Sequence, residues 1–327
     1  MKTTIGLTQA RDLLQTREEL LDSGYTPREI HSLVAAGRLV RVRRDRYVEA
    51  ATHDALWSEG RHLLAVMAAH LNADPPGPVF WGPSAAVLLG LPLYRLAPDR
   101  VHTVIRGARH GRTRAGIAQH GVGIDDADLV DVDGLRCTSL DRTVLDLACT
   151  TSPGAALSAA DAALRRVAVD RHRQDPDRAA DWHRRMSLRA AAVRSRGVRR
   201  ARWILDFADG RAQLPGESVS RLQLHRLGFT GLELQPHVIG SGGDEYWIDF
   251  GFPRNRVFGE FDGQGKYVDP EVRSTRSAED AVLAEKRRED DIRGVTGWRF
   301  ARWEDRHVRT PDALAARLQA FGVRPPA

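Results

Sequence analysis

Residues 246–267 read YWIDFGFPRNRVFGEFDGQGKY, and their spacing decides how the carboxy-terminal third is built. Two apolar runs, 246–250 and 257–262, flank the turn sequence Pro253-Arg254-Asn255, which makes them antiparallel neighbours. Side chains alternate along a strand, so Phe258, Glu260 and Asp262 share one face while Val257, Gly259 and Phe261 share the other. Pairing across the turn brings Asp249 beside Glu260, and three carboxylates converge. Clustered carboxylates raise one another's cost of ionisation unless a cation neutralises them, and a hard divalent ion, Mg²⁺ or Mn²⁺, meets that need. Such an ion polarises a phosphate and lowers the pKa of an attacking water, which is the chemistry of phosphodiester hydrolysis.

On this reading Asp249 and Glu260 ligate the metal and Asp262 completes or adjusts its shell. Lys266 follows the flexible turn Gly263-Gln264-Gly265, which lets its ammonium return toward a scissile phosphate. Glu217 stands in the first turn of the preceding helix, where it either supports the metal from outside or complements the helix dipole. Around this centre the order is helix 217–227, strand 232–239, a Gly-rich turn at 240–243, strands 246–250 and 257–262, helix 277–293, strand 298–303 and helix 311–321. The order reads αβββαβα.

The amino-terminal end carries a second signal. Thr16 with Glu19 and Thr26 with Glu29 both fit a capping box, so two helices begin ten residues apart. Pro27 opens the second, Ile30, Leu33 and Val34 make its inward stripe, and Gly37 ends it, leaving Arg28, His31 and Ser32 outward. An alternating strand, a basic turn and a second strand follow over residues 38–48, the pattern of a winged helix-turn-helix. Arg28, His31, Arg41, Arg43, Arg44 and Arg46 are its candidate DNA contacts.

The chain of 327 residues is long enough for two or three domains of ~100 to 200 residues each. Four segments are expected: a winged helix-turn-helix over 1–52, a mixed α/β domain over 53–165, an Arg-rich helical linker over 166–212 and the acid-bearing domain over 213–327. With 42% hydrophobic and 28% charged residues the composition is that of a folded globular protein. No stretch approaches the roughly 18 apolar residues of a membrane helix, and residues 1–15 lack the apolar core of a secretory signal, so the expected location is cytoplasmic and no membrane partner is expected. Cys137 and Cys149 have no partners at zinc-ligand spacing and read as core residues. Lys and Arg outnumber Asp and Glu by 49 to 43, a balance compatible with nucleic acid but modest as a field. Lys2, Lys266 and Lys286 are the chain's lysines, so much of the Arg content reflects a chain-wide bias.

The segments YWIDFGFP, VFGEFDGQGKY, EKRREDDIRGVTGW and RFARWED resemble, in order and spacing, the very-short-patch-repair-like branch of the PD-(D/E)xK endonucleases across residues 216–327. The resemblance implies a restriction-endonuclease-like αβββαβ core that cuts nucleic acid with a divalent metal held at the positions of Asp249 and Glu260. The chain departs from that pattern at Asp262, where a lysine is usual, and at Lys266, where many relatives of this branch carry histidine. Residues 5–165 are similar to the antitoxins of abortive-infection type IV toxin-antitoxin systems, through TPREIHSLVAAGRLVRVRRDRYV and TSLDRTVLDLA. That resemblance implies promoter-DNA binding, with a cognate toxin or a second copy as a further partner. The combined expectation is a multidomain α+β protein that hydrolyses DNA with Mg²⁺ or Mn²⁺. The second reading is a non-catalytic DNA-binding regulator whose nuclease fold has lost turnover.

Overall fold

The computed structural model describes residues 2–105, 115–194, 196–263 and 278–326. Helices and strands are mixed along the whole chain. Two compact units emerge, one formed by residues 1–159 and 186–205 and the other by 160–185 and 206–327. The segment 166–212 is thereby shared between them. It contains helices Pro176–Ala192 and Val198–Phe207, whose Trp182, Met186 and Ile204 are fully buried.

The first unit opens with α1 (Leu7–Asp12), β1 (Gln15–Thr16), α2 (Arg17–Asp22) and α3 (Pro27–Ala35), then β2 (Leu39–Arg43) and β3 (Arg46–Glu49). Both capping boxes form: Glu19 N donates to Thr16 Oγ1 at 3.0 Å and Glu29 N to Thr26 Oγ1 at 3.3 Å, while each glutamate accepts from its threonine's amide. Gly37 takes φ +66° just beyond α3, a conformation open to glycine without strain. Leu20, Ile30, Leu39 and Tyr47 form the local core, with Leu33 and Val34 packed against it. The structure adds two elements to the sequence expectation, α1 and the short β1. The latter pairs with β3 so that the sheet runs β1-β3-β2.

Beyond β3 come α4 (Ala50–Ala55), α5 (Ser58–Leu71) and α6 (Pro83–Leu88). They are followed by a parallel pair, β4 (Val101–Val104) with β5 (Ile117–His120), and an antiparallel pair, β6 (Leu129–Val132) with β7 (Leu135–Thr138). Helix α7 (Leu140–Thr150) completes the stretch, with Arg142 bridging Asp128 at 3.2 Å and Asp146 at 3.0 Å. Then follow α8 (Pro153–Ala168), the small hairpin β8 (Val169–Asp170) and β9 (Arg173–Gln174), α9 (Pro176–Ala192) and α10 (Val198–Phe207).

The second unit is organised around a four-stranded sheet. Its elements are α11 (Pro215–Arg226), β10 (Glu233–Leu234), β11 (His237–Ile239), β12 (Glu245–Trp247), β13 (Phe250–Phe252), β14 (Val257–Asp262), α12 (Ala278–Thr296), β15 (Arg299–Glu304) and α13 (Pro311–Gln319). The sheet order is β10-β13-β14-β15, antiparallel from β13 to β14 and parallel from β14 to β15, whereas β11 and β12 pair as a separate hairpin. Each of the two strands expected at 232–239 and 246–250 is therefore broken. Gln235 adopts φ +51°, and the chain changes sheets there. Gln235 N then donates to the Asp249 carbonyl at 3.2 Å and Ile248 N to the Pro236 carbonyl at 3.2 Å. Asp249 lies in this break rather than inside a regular strand.

Both faces of the sheet are packed. On one, Val238, Ile248, Phe258, Ile292 and Phe300 form a core beneath α12. On the other, Phe250 and Trp303 are buried and Trp303 Nε1 donates to Ser220 Oγ of α11 at 2.8 Å. Helix α11 reaches β14 this closely because Gly216 has no side chain: a Cβ there would lie 2.0 Å from the Phe261 ring. Inside the same unit the wholly buried Asp161 accepts at both oxygens from a single nitrogen of Arg221, Nη2, at 2.9 and 3.0 Å, while Nη1 donates to the Phe207 carbonyl. Paired in that way a buried charge is tolerated.

Candidate active site

Strand β14 carries Glu260 and Asp262, as the alternation requires, and Asp249, just ahead of β13, meets it through the Phe261 amide. The three acids nevertheless meet different surroundings. Asp249 turns one oxygen, Oδ2, to accept from Phe261 N at 2.8 Å. Loss of solvent pushes its pKa up to about 7, and the charges of Glu260 and Asp262 push the same way against the Phe261 amide and Arg288. Glu217, buried at 3% exposure, accepts from Gln213 N at 2.8 Å and Leu214 N at 3.2 Å and so closes the first turn of α11. Burial first, and the Asp249 charge second, hold its carboxyl well above the usual range. Glu217 therefore caps the helix and lies within the electrostatic field of Asp249.

Glu260 is largely neutralised by the protein. Its Oε1 pairs with Arg288 of α12 at 2.8 Å and its Oε2 with Arg302 of β15 at 2.9 Å. Arg288 also holds Glu285 at 3.1 Å and the Trp247 carbonyl at 2.9 Å, while Arg302 binds Glu285 and lies 2.9 Å from Glu289. Burial raises the Glu260 pKa and the two guanidinium groups oppose it. Asp262 ends the strand, is exposed, and stands in register with Glu304. Its carboxyl is raised by partial burial, with Arg302 opposing and Glu285 and Glu304 adding to the rise. Lys266 lies outside the described residues.

Among the described residues no group of three or more His, Cys, Asp and Glu is arranged to enclose a metal ion. Mg²⁺ does not require such a cage, since one or two carboxylates with water and phosphate oxygens suffice. Asp249 suits that role, because it is a carboxylate in an acid-rich, poorly solvated setting whose ionisation a cation would favour. Glu260 could join it only by loosening Arg288 or Arg302.

Several neighbours were not legible as site residues. Helix α12 carries an i,i+4 ion pair between Glu289 and Arg293, while Arg288 reaches out of the helix to hold Glu260. Arg302 reaches Glu260 because parallel pairing sets the two in register. His172, from the β8–β9 hairpin, stacks on Trp247 at 4.3 Å, and His237 stacks on the same indole at 4.7 Å. Gln213 Nε2 lies 3.0 Å from both His172 Nδ1 and Gln235 Oε1. No local pattern links residue 172 to residue 247, so tertiary folding alone brings them together.

In the first unit, Arg28 and His31 are exposed on α3, as are Arg41 and Arg44, while Arg43 and Arg46 are half-buried. Arg46 donates from Nε to Asn72 Oδ1 at 2.9 Å, and Asn72 Nδ2 donates to the Arg44 carbonyl at 2.6 Å. That guanidinium anchors the β2–β3 turn to the end of α5 and is less available to a ligand than those of Arg41 and Arg44.

No family profile matches the chain. It is 31% identical over 189 residues to two uncharacterized proteins of Mycobacterium tuberculosis, Rv2248 and MT2308, from different strains. The match spans 56% of this chain and 65% of each relative, so the chain covers less than two thirds of their length. No helix among the described residues is long and apolar enough to cross a membrane.

Proposed function

We propose that the chain is a metal-dependent endonuclease acting on DNA, with a winged-helix DNA-binding region at its amino terminus. The observation that carries the catalytic half is the pairing of two poorly solvated carboxyls, Asp249 and Glu217, beside Glu260 at the end of a mixed sheet. Each holds its proton more tightly than a solvated carboxyl because burial strips it of water, and neighbouring negative charge adds to the rise. The order of α11, the strands, α12 and β15 supports the restriction-endonuclease-like fold.

Asp249 would hold Mg²⁺ or Mn²⁺, joined by Glu260. Bound there, the ion supplies charge to the scissile phosphate and acidity to an attacking water. The protein contributes the rest. Phe261 N fixes the orientation of Asp249, the two backbone amides of the α11 turn fix Glu217, and Arg288 and Arg302 hold Glu260 in place and oppose the rise that burial gives its carboxyl. Asp262 would act at the open end of β14.

The α2–α3 pair, the β2–β3 turn and the exposed Arg28, His31, Arg41 and Arg44 support DNA binding, with α3 as the reading helix. A toxin or a second copy of the chain is a further partner on the antitoxin reading. The second reading, a non-catalytic DNA-binding regulator, is favoured by one observation: both oxygens of Glu260 are already occupied by arginines.

Incubation of the purified chain with supercoiled plasmid and with single-stranded DNA, in Mg²⁺ or Mn²⁺, separates the two. The endonuclease reading expects nicking by the wild type that chelation and Asp249→Asn both abolish. Retarded but uncut DNA, equal for wild type and variant and insensitive to chelation, would replace it with the regulator reading.

A further inference from the structure

A cleft of about 1010 Å³ opens in the first unit between the β2–β3 turn, α5 and the start of β4. Five arginines line it: Arg41 and Arg43 from β2, Arg44 from the turn, Arg61 from α5 and Arg100 ahead of β4. Two carboxylates, Asp74 and Asp99, also reach its wall, so positive charge remains in excess. Asp99 stands 3.7 Å from Arg100 with both side chains largely exposed, and Arg44 stands 3.4 Å from Asp45 in the same condition. Neither pair is held tightly, because exposed ion pairs are weak and exchange readily with other anions.

Arg61 is different. Its Nε is buried and, like those of Arg136, Arg189, Arg221 and Arg302, has no hydrogen-bond partner among the described residues, but Arg61 alone of these lines the cleft. The guanidinium shares the cleft lining with His53 and with Ser58, whose hydroxyl donates to Glu59 Oε2 at 2.8 Å. Arg43 closes the opposite side, its Nη1 lying 3.8 Å from where a Cβ at Gly116 would stand.

A forked guanidinium matches the oxygens of a phosphate, and several around one concavity suit a ligand with more than one phosphate. The volume is that of a site for a small molecule of nucleotide size. A DNA duplex is too wide to enter such a cleft and would touch the outer arginines alone. We propose that the cleft binds a small polyphosphate-bearing ligand of nucleotide size, and that the bound ligand draws Arg41, Arg43 and Arg44 away from DNA. The second half rests on the DNA-binding reading above; the first stands on the cleft alone.

Calorimetric titration of the full chain with tripolyphosphate and with ATP, at constant ionic strength, tests it. Wild type should bind both saturably at one site. Arg61→Gln and the more exposed Arg100→Gln should each weaken binding by about tenfold or more, the loss expected for a charged hydrogen bond. Arg17→Gln, an exposed arginine on α2 outside the cleft, should bind as wild type does. Tripolyphosphate should also release a fluorescein-labelled duplex from wild type but not from Arg61→Gln. Absence of saturable binding to wild type, equal weakening in Arg17→Gln, or binding of ATP without tripolyphosphate would each overturn the site. Saturable phosphate binding by a chain that does not bind DNA would uphold the cleft and refute the DNA reading. DNA binding without a saturable phosphate site would do the reverse.

Discussion

Replacing Asp249 by Asn should stabilise the protein at neutral and alkaline pH. The carboxyl is pushed up to about 7 from an ordinary value of 3.8, which corresponds to about 4 kcal/mol of unfavourable ionisation in the folded state. Asn keeps an acceptor for Phe261 N but a neutral one, which returns about 1 kcal/mol of that gain. The net expectation is ~2–3 kcal/mol in favour of the variant at pH 8. Because the folded-state pKa is raised, this group's stabilising share is complete below about pH 4 and is lost as the pH rises through about 7. Glu217, raised in part by the Asp249 charge, follows the same direction and is relieved by the same substitution. Urea unfolding followed by tryptophan fluorescence at pH 8 and pH 4 reads the difference directly. Mg²⁺ at pH 8 should stabilise wild type by relieving the same cost and should leave Asp249→Asn unmoved. A variant less stable than wild type at pH 8, or an advantage of equal size at both pH values, would refute the reasoning.

Gly216→Ala should destabilise the second unit by roughly 1–3 kcal/mol, because its Cβ meets the Phe261 ring at 2.0 Å, and Phe261→Leu in the same chain should recover part of the loss in thermal melts. Arg221→Ala strands the buried Asp161 and should cost about 3–5 kcal/mol by the same measurement, with Asp161→Asn restoring part of it. For DNA binding measured by anisotropy over a range of salt, Arg41→Ala should lower the salt slope by about 1, whereas Arg46→Ala, already committed to Asn72, should change it far less. An equal drop in slope for the two would show that the Arg46 guanidinium is free to leave its anchor.

The parts written in short-range chemistry were legible. Thr16 with Glu19 and Thr26 with Glu29 marked two helix starts because a capping box needs residues only three apart. The bounds of β14 and its alternation followed from a period of two between a turn and a Gly-rich stretch. The break around Gln235 and Ile248–Asp249 was not legible, because two unbroken apolar runs satisfy the alternation equally well. The chain changes sheets there to meet the core formed by Val238, Ile248 and Phe258. The packed helices of segment 166–212 were hidden in turn by their Arg and Ala content, which masks a buried stripe as narrow as Trp182, Met186 and Ile204.

Sequence alone determined which residues carry charge, which strand bears Glu260 and Asp262, and that Asp249 would lie close to that strand, since these depend on spacing along one hairpin. Tertiary structure decided the state of each group. Arg302 meets Glu260 through a parallel pairing that a whole helix separates in the chain, and Arg288 reaches it from that helix. Glu217 couples to Asp249 because Gly216 lets α11 settle onto β14. Burial and the distance between charges set their protonation, and neither exists until the chain has folded.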